Sequence, residues 1–202
     1  MHSPSSTIII FVKNPILGHV KTRLAQGIGK EKALEVYKYL MAHTREVALD
    51  LDVKRNLFYD TEIIANDNWS PAAFDKHLQS SGDLGNRMAD AFEQSFEEGA
   101  QKVIIIGSDC QDLNSYIVKK AFEFLDKSDV VIGPTFDGGY YLLGMNSFHP
   151  ELFEGVNWST ETVYKETIEI CEKSNLTVQN LPVLSDVDYK EDLTGKLAQF
   201  LP

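Results

Sequence analysis

Three cationic side chains fall within eleven residues near the start of the chain, at Lys13, Lys21 and Arg23, with Gly18 between them. Lysine supplies a compact positive charge, arginine can donate to two oxygens at once, and glycine lets the backbone approach a ligand closely. A predicted helix follows, and its N-terminus adds a dipole that favours anions. The pattern suits a di- or triphosphate, although it lacks the spacing of a Walker A loop. The alternative is a solvated basic loop without a ligand.

A carboxylate stands at the end of a later apolar run, where Asp109 follows residues 103–106. The end of a buried strand positions a side chain rigidly. A carboxylate there can hold Mg²⁺ or Mn²⁺, which take oxygen ligands and bridge to phosphate. The alternative is that Asp109 or Asp112 caps the helix predicted to begin near Asn114. We assign metal binding to Asp109 and capping to Asp112.

A third candidate loop, residues 133–141, places Asp137 directly before Gly138 and Gly139. An Asp-Gly pair is a strong signal for a hairpin turn, and local rules alone favour that interpretation. The functional alternative is a floor where a substrate approaches the backbone closely. Asp137 would then accept hydrogen bonds from substrate hydroxyls.

Two shorter clusters complete the set. Asp186 and Asp188 follow the last predicted strand with both carboxylates on one face, where they could complete a divalent-metal site or form a polar turn. Ser159 or Thr160, ahead of a predicted helix, is most simply its N-cap. The five histidines form no HxxxH pattern, and the residue order offers no Ser-His-Asp set.

Alternating strand and helix patterns must position these loops. Apolar or β-branched runs predict strands over 7–12, 54–59, 102–106, 129–133, 140–145 and 177–181, with 140–145 an edge or hairpin strand. Helical spacing predicts helices over 33–47, 83–96, 114–125 and 160–171 and a last one from Tyr189. Ser70 and Pro71 predict a further helix entry, and Asp83 is the predicted cap of the helix over 83–96.

This alternation predicts the α/β class, with a mostly parallel sheet between helices and one domain over residues 1–202. In open α/β sheets, ligands bind outside the carboxyl ends of the strands. The candidate loops are therefore expected at one edge of the sheet: residues 13–23, 107–112, 134–139 and 183–188.

The composition narrows the function further. The chain has 202 residues, 43% of them hydrophobic, and a formal net charge of -11. That balance argues against a surface that coats nucleic acid, which would need a basic face. The first seven residues contain no Lys or Arg, and the apolar run after them is too short for a signal peptide or membrane span. We therefore expect a cytoplasmic protein without a membrane partner, with Cys110 and Cys171 as reduced thiols.

Several longer motifs occur together, and in a recognisable order. They are Ile-Phe-Val-Lys-Asn-Pro, Gly-His-Val-Lys-Thr-Arg, Gly-Asp-Leu-Gly-Asn-Arg-Met, Ile-Gly-Ser-Asp-Cys, Gly-Pro-Thr-Phe-Asp-Gly-Gly-Tyr-Tyr, Trp-Ser-Thr and Asp-Val-Asp. This series resembles the bacterial family called radical-SAM/selenodomain-associated transferases, which are classed with glycosyltransferase-A-type, nucleotide-diphospho-sugar transferases. More distantly it is similar to the 2-phospholactate guanylyltransferases.

The resemblance implies a Rossmann-like three-layer sandwich with a mostly parallel mixed sheet. It also implies a magnesium or manganese ion and a set of site residues. The residues that match the phosphate-binding loop are Lys13, Lys21 and Arg23, and those on the nucleotide side are Asp83 and Arg87. The residues that match the sugar or acceptor pocket are Asp137, Gly138 and Gly139. The metal ligands implied by the resemblance are Asp109 and Asp188. One departure is Gln111, where the family usually has proline after Ser-Asp-Cys, so the metal-binding loop is less rigid here.

Two reactions are compatible with these residues. The first is glycosyl transfer from a nucleotide-diphospho-sugar to a small-molecule acceptor, with Lys21, Arg23 and Asp137 as catalytic candidates. The second is nucleotidyl transfer, in which a nucleoside triphosphate and a phosphorylated small molecule combine and release pyrophosphate. A third possibility is a nucleotide-binding module without turnover. The sequence leaves the oligomeric state open.

Overall fold

One sheet carries the predicted loops, and the computed structural model describes residues 5–201 of the chain. The strands in this part of the chain are β1 (Ser6–Val12), β2 (Lys54–Tyr59), β3 (Asp75–Leu78), β4 (Lys102–Ile106), β5 (Val130–Pro134), β6 (Tyr140–Met145) and β7 (Val178–Asn180). Their order across the sheet is β3-β2-β1-β4-β6-β5-β7. Strand β6 runs antiparallel to both of its neighbours, and the other pairs are parallel.

Helices cover both faces of this sheet. They are α1 (Thr22–Ile28), α2 (Lys30–Leu49), α3 (Leu84–Glu97), α4 (Ser115–Phe124) and α5 (Val163–Lys173), with short 3-10 helices at Pro150–Phe153, Lys190–Asp192 and Gly195–Phe200. Alternate residues of a strand point to opposite faces. Accordingly Ile8 and Ile10 pack in the layer of α2 and α4, whereas Ile9 packs in the layer of α3 and α5. The predicted three-layer α/β fold with a mostly parallel mixed sheet is confirmed.

Strand β6 lies inside the sheet. It forms the predicted hairpin with β5, but it is not an edge strand, because it also pairs with β4. Its residues from Tyr141 to Met145 are all buried, as an interior position requires. Gly144 permits the close fit there, since an added Cβ would lie 2.8 Å from side-chain carbons of Ile104 and Val131.

The predicted helix entry at Ser70 is wrong. The chain makes a single turn, in which the Ser70 carbonyl accepts hydrogen bonds from the amides of Ala73 and Phe74. It then enters β3, a strand that the sequence did not predict. Strand β3 contains one apolar residue, Leu78, and is held at the sheet edge by pairing with β2 rather than by burial.

The helix ends differ from prediction in three places. Helix α4 is capped by Asn114, whose Oδ1 accepts from the Ile117 amide at 3.1 Å, so the assignment of capping to Asp112 is wrong. Helix α5 begins at Val163, so neither Ser159 nor Thr160 is its N-cap. The predicted last helix from Tyr189 is replaced by the short 3-10 helices Lys190–Asp192 and Gly195–Phe200.

The predicted cap of α3 is confirmed: Asp83 Oδ1 accepts from the Asn86 amide at 2.9 Å.

Between residues 5 and 201, no helix combines the length and the apolar character needed to cross a membrane.

Candidate active site

The loops after β1 and β4 meet because these two strands are parallel neighbours. Lys21 Nζ lies 3.1 Å from Asp109 Oδ2 and 3.1 Å from Asp188 Oδ1. The Lys21 side chain is only 4% exposed, against 43% for Asp109 and 34% for Asp188. Arg23 Nη1 extends this set at 3.2 Å from Asp188 Oδ2. We call these four residues the ion-pair cluster.

Lys21 is held charged at the centre of the ion-pair cluster. Burial alone would lower the pKa of Lys21, but the negative charges of Asp109 and Asp188 outweigh it, and the pKa is raised. Its backbone is left-handed, with φ 47° and ψ 46°, directly before α1. A non-glycine residue pays about 1 kcal/mol for that conformation. The two ion pairs help to offset this cost.

Asp188 reaches the cluster through contacts that are distant in sequence. The Val187 amide donates to the Asp109 carbonyl at 3.0 Å, and the Leu184 amide donates to the Pro134 carbonyl at 3.1 Å. The segment between these contacts therefore lies across the carboxyl ends of β4 and β5. Asp192 Oδ2 then accepts from the amides of Asp188 and Tyr189 and fixes the turn.

The start of the first loop is anchored by two side chains. The buried Asn14 binds the turn after β2, with its amide 2.7 Å from Asp60 Oδ1 and its Oδ1 3.2 Å from the Thr61 amide. The Tyr37 hydroxyl accepts from the Lys13 amide at 2.7 Å and lies 3.0 Å from the Lys13 carbonyl. Burial, with Asp109 nearby, raises the pKa of Tyr37, so this phenol stays neutral. Lys13 is thereby placed at the wall of the cleft.

A cavity of about 330 Å³ lies between this loop and α3. Arg87 lines it, held by a 2.9 Å hydrogen bond from its Nη1 to Gln79 Oε1. Gln79 Nε2 in turn lies 3.3 Å from the Val12 carbonyl and 3.2 Å from the Phe58 carbonyl. Sequence reasoning missed Gln79, since a lone glutamine after a polar strand gives no local signal. Asp83 serves α3 as its cap and is absent from the residues that line this cavity.

A second cavity, of about 370 Å³, lies beside the β5–β6 hairpin. Asp137 lines it, and its Oδ1 accepts from Thr135 Oγ1 and from the Gly139 amide, so the predicted hairpin turn is present. Gly138 has φ 87°, and an added Cβ would lie 1.9 Å from the Glu161 carbonyl oxygen. The glycine at this position is therefore required by close packing against the loop before α5.

Ser159 and Gly18 have left-handed backbones near the cleft. Ser159 has φ 64° and lines both the 330 Å³ and the 370 Å³ cavities. Gly18 has φ 78°, and a Cβ added there would lie 3.4 Å from the Lys30 side chain. For Gly18 the structure therefore gives a conformational reason for glycine, and its predicted contact with a ligand stays a prediction.

The sequence predicts that Asp186, together with Asp188, completes a metal site or forms a polar turn, and the family resemblance gives it no role of its own. It is half-buried and lines three adjoining cavities. Burial raises the pKa of Asp186 to about 7; the negative charge of Asp109 adds to this shift, and Lys21 opposes it. The one indication of a role for Asp186 in the sequence is that it lies two residues before Asp188. Its position between the cavities depends on tertiary contacts.

The two cysteines are not candidate nucleophiles, although Cys110 lines the 330 Å³ cavity. Cys110 and Cys171 are both free and buried. Burial raises the pKa of Cys110 to about 12 and that of Cys171 to about 11, so both remain protonated thiols at neutral pH.

The ion-pair cluster fits a hard divalent cation. Asp109 and Asp188 converge on one point, now taken by the Lys21 ammonium, and both offer carboxylate oxygens. Mg²⁺ is typically bound by one or two carboxylates, with water and substrate phosphates completing its shell. Among residues 5–201, no three or more His, Cys, Asp and Glu side chains are grouped so as to hold a metal by themselves. The donors present therefore suit a metal that shares its coordination with a phosphate ligand.

Comparison with known proteins gives a family and a fold. A model of the family described as "Uncharacterized protein conserved in bacteria (DUF2064)" matches residues 41–160. No curated protein matches the chain. The crystal structure of a proposed nucleotide-diphospho-sugar transferase from Desulfovibrio desulfuricans is 31% identical, with a TM-score of 0.87 over 98% of this chain and 94% of that chain. The radical-SAM association stays a prediction.

Two more distant structures share the fold alone. One is a CMP:2-keto-3-deoxy-manno-octonic acid synthetase complexed with CTP, 10% identical, with a TM-score of 0.56 over 96% of this chain and 97% of that chain. The other is the Rv0371c protein of Mycobacterium tuberculosis in complex with manganese, 11% identical, with a TM-score of 0.57 over 99% of both chains. The individual roles predicted for the cleft residues are not tested by these similarities.

Proposed function

Because the chain belongs to the bacterial DUF2064 family, we propose that it is a metal-dependent transferase that moves a glycosyl group from a nucleotide-diphospho-sugar to a small-molecule acceptor. The ion-pair cluster carries this proposal. It brings two basic side chains and two carboxylates to the edge of the sheet where α/β folds bind ligands. The 31% identical structure, described as that of a proposed nucleotide-diphospho-sugar transferase, supports the choice of donor.

In this proposal the basic residues bind the diphosphate. Lys21 and Arg23 donate to its oxygens and stabilise the charge that develops as the sugar–phosphate bond breaks. Lys13, at the wall shared by two of the cavities, contacts the same phosphates. The Arg23 side chain is 61% exposed and can turn toward a ligand, whereas Lys21 must first leave its ion pairs.

The carboxylates have separate roles. Asp109 and Asp188 would hold Mg²⁺ or Mn²⁺; the manganese complex of a protein with this fold supports a metal in such a transferase, and the choice of these two ligands rests on the ion-pair cluster. A metal bound there supplies Lewis-acid stabilisation of the diphosphate leaving group. Asp137 lines the second cavity and the smaller pocket that adjoins it, and it would accept a hydrogen bond from the acceptor hydroxyl and orient it for attack on the anomeric carbon.

Nucleotidyl transfer is the second candidate. A synthetase of the same fold, complexed with CTP, favours it, and so does the presence of three cations near the end of β1, which suit a triphosphate. The metal ligands and phosphate-binding residues would be the same. The attacked atom would be the α-phosphorus, and the released product would be pyrophosphate.

A thermal-shift panel of nucleoside triphosphates and nucleotide-diphospho-sugars, with and without Mn²⁺, tests the site. A ligand that binds only the folded protein raises the melting temperature. We expect a metal-dependent rise that is lost in Asp109→Asn and reduced in Lys21→Ala. The matched controls are Asp50→Asn and Lys119→Ala, an exposed ion pair at 3.0 Å on the α2–α4 surface, and they should behave as wild type.

The products separate the two reactions. Release of a nucleoside diphosphate supports glycosyl transfer, and release of pyrophosphate supports nucleotidyl transfer. A nucleotide-dependent shift that needs no metal and survives Asp109→Asn would instead indicate a binding module. If no nucleotide changes the melting temperature, the proposed function is wrong.

A further inference from the structure

Two exposed aromatic side chains stand at the outer end of the cleft. Phe136, at the tip of the β5–β6 hairpin, is 78% exposed, and Tyr189, after the Asp186–Asp188 segment, is 53% exposed. Both line one pocket of about 200 Å³, which we call the aromatic-walled pocket. Isolated exposed apolar residues are ordinary, but two aromatic residues on one concavity beside a candidate active site are typical of a ligand site.

The aromatic-walled pocket is continuous with the rest of the cleft. It shares Asp137 and Asp186 with the 370 Å³ cavity. It shares Arg23 and Asp188 with the space around Lys21. A molecule seated in this pocket would therefore lie beside the ion-pair cluster, next to Arg23 and Asp188.

The charge of this pocket is strongly negative. Its carboxyl groups are those of Asp137, Asp188, Asp192 and Asp186, the last with its pKa raised to about 7, and its one basic lining residue is Arg23. Arg23 is already paired with Asp188 at 3.2 Å, and its guanidinium carbon lies 6.0 Å from the centre of the Tyr189 ring. Even with Asp188 engaged by a cation, Asp137 and Asp192 keep the pocket acidic. A phosphate group entering here would meet uncompensated negative charge, which disfavours binding.

The remaining lining groups are acceptors and hydroxyls. Thr135 and Ser185 contribute hydroxyl groups, and ionised carboxylates accept hydrogen bonds from hydroxyl or ammonium donors. The faces of Phe136 and Tyr189 offer apolar surface, and they would also attract a cation. The lining thus matches a molecule that has an apolar face and several hydrogen-bond donors.

We propose that the aromatic-walled pocket is the acceptor subsite, and that it takes a neutral or amine-bearing polyhydroxylated molecule rather than a phosphorylated one. The term acceptor rests on the proposed function, whereas the ligand class follows from the pocket itself. This assignment favours glycosyl transfer over the form of nucleotidyl transfer considered above, in which the acceptor is a phosphorylated small molecule.

Two matched pairs of probes test the ligand class: glucose with glucose 6-phosphate, and glucosamine with glucosamine 6-phosphate. Binding to the full chain is measured by titration in saturation-transfer difference NMR. We expect both unphosphorylated sugars to receive saturation and to bind at least about fivefold more tightly than their phosphates. Phe136→Ala and Tyr189→Ala should each weaken that binding about fivefold, the loss expected for one aromatic contact. Tyr116→Ala, which removes a tyrosine on α4 that is 68% exposed, should have no effect.

Three results would overturn the proposal: tighter binding of the phosphates, no saturation of either unphosphorylated sugar, or binding that is unchanged in both aromatic variants. The nucleotide thermal shift is measured on the same samples. If nucleotides bind and the sugars do not, the acceptor subsite is wrong and the proposed function stands. If the sugars bind through Phe136 and Tyr189 and no nucleotide binds, the ligand class stands and the transferase proposal is wrong.

Discussion

At the scale of single residues, the central feature is the position of the Lys21 ammonium. It lies 3.1 Å from each of the two carboxylates that are proposed to hold the metal, and its side chain is almost fully buried. An ammonium and a divalent cation repel each other and need the same oxygens, so they compete for this position. Phosphate oxygens brought by a nucleotide would give Lys21 another partner. The metal and the nucleotide are therefore expected to bind together.

Lys21→Met tests this competition. Removing the ammonium takes one ion pair from Asp109 and one from Asp188, so affinity for Mn²⁺ without nucleotide should rise on the order of tenfold, which is about 1.4 kcal/mol. Affinity for the nucleotide should fall, because a phosphate-binding cation is lost. Electron paramagnetic resonance titration of free Mn²⁺ measures the first effect, and calorimetry measures the second.

The control for this experiment is Lys119→Met, which removes an exposed lysine far from the cleft. Circular dichroism establishes that both variants fold. Unchanged or weaker Mn²⁺ binding in Lys21→Met would show that the ammonium does not compete with the metal.

At the scale of elements, the short strand β7 depends on contacts at its start. Asp129, just before β5, accepts from the Thr177 amide at 2.8 Å and from Thr177 Oγ1 at 2.6 Å. The Thr177 carbonyl accepts from the amides of Asp129 and Val130. These bonds fix the register of β5 and β7, and hence the path of the chain toward Asp186 and Asp188.

Asp129→Asn should make the unfolding free energy less dependent on pH in the acidic range. The hydrogen bonds from the Thr177 side chain and amide lower the pKa of Asp129 in the folded protein. Their stabilisation is therefore full above the unfolded pKa, near 4, and is lost as pH falls through the lower folded value. The variant should lose about 1 kcal/mol of unfolding free energy at pH 7, and much less near pH 3. Urea denaturation across this pH range measures the difference.

Thr177→Val provides the matched background for that measurement. Thr177→Val lacks one of the two hydrogen-bond donors to Asp129. Adding Asp129→Asn to this variant should therefore lower the unfolding free energy by less than it does in the wild type. An equal loss at pH 7 and pH 3 would contradict the proposed source of the pKa shift.

At the scale of the whole molecule, one sheet ties the two helical layers together. Ile104 of β4 is fully buried in the layer of α2 and α4, and Phe92 of α3 is fully buried in the opposite layer. The strands that carry the proposed phosphate-binding loop and the hairpin near the acceptor subsite belong to the same hydrogen-bonded sheet. We therefore expect residues 1–202 to unfold as one domain.

Substitutions in the two layers test this expectation. Ile104→Ala and Phe92→Ala should each lower the unfolding free energy by roughly 3 kcal/mol through lost contacts and a cavity. Both should shift the same single transition, measured by tryptophan fluorescence and by far-ultraviolet circular dichroism. Two separate transitions, each sensitive to one of the substitutions, would show that the layers unfold independently.

The sequence by itself determined the alternation of strands and helices, and with it the fold class and the edge of the sheet where the loops gather. Buried strands such as β1 and β4 and amphipathic helices such as α2 have local hydrophobic periods, which one segment displays without its neighbours. The same local patterns, with the family resemblance, selected Lys21, Arg23 and Asp109 as candidate site residues.

Only the tertiary structure decided which of those candidates meet. Strand β3 forms by pairing with β2, and Gln79, directly after β3, holds Arg87 by a hydrogen bond. Asp188 is brought to Asp109 by the hydrogen bond from the Val187 amide to the Asp109 carbonyl. Lys21 and Asp188 are 167 residues apart, so neither local sequence segment predicts their ion pair. Polar contacts of this kind depend on where distant backbone segments come to lie, and the packing of the whole sheet sets those positions.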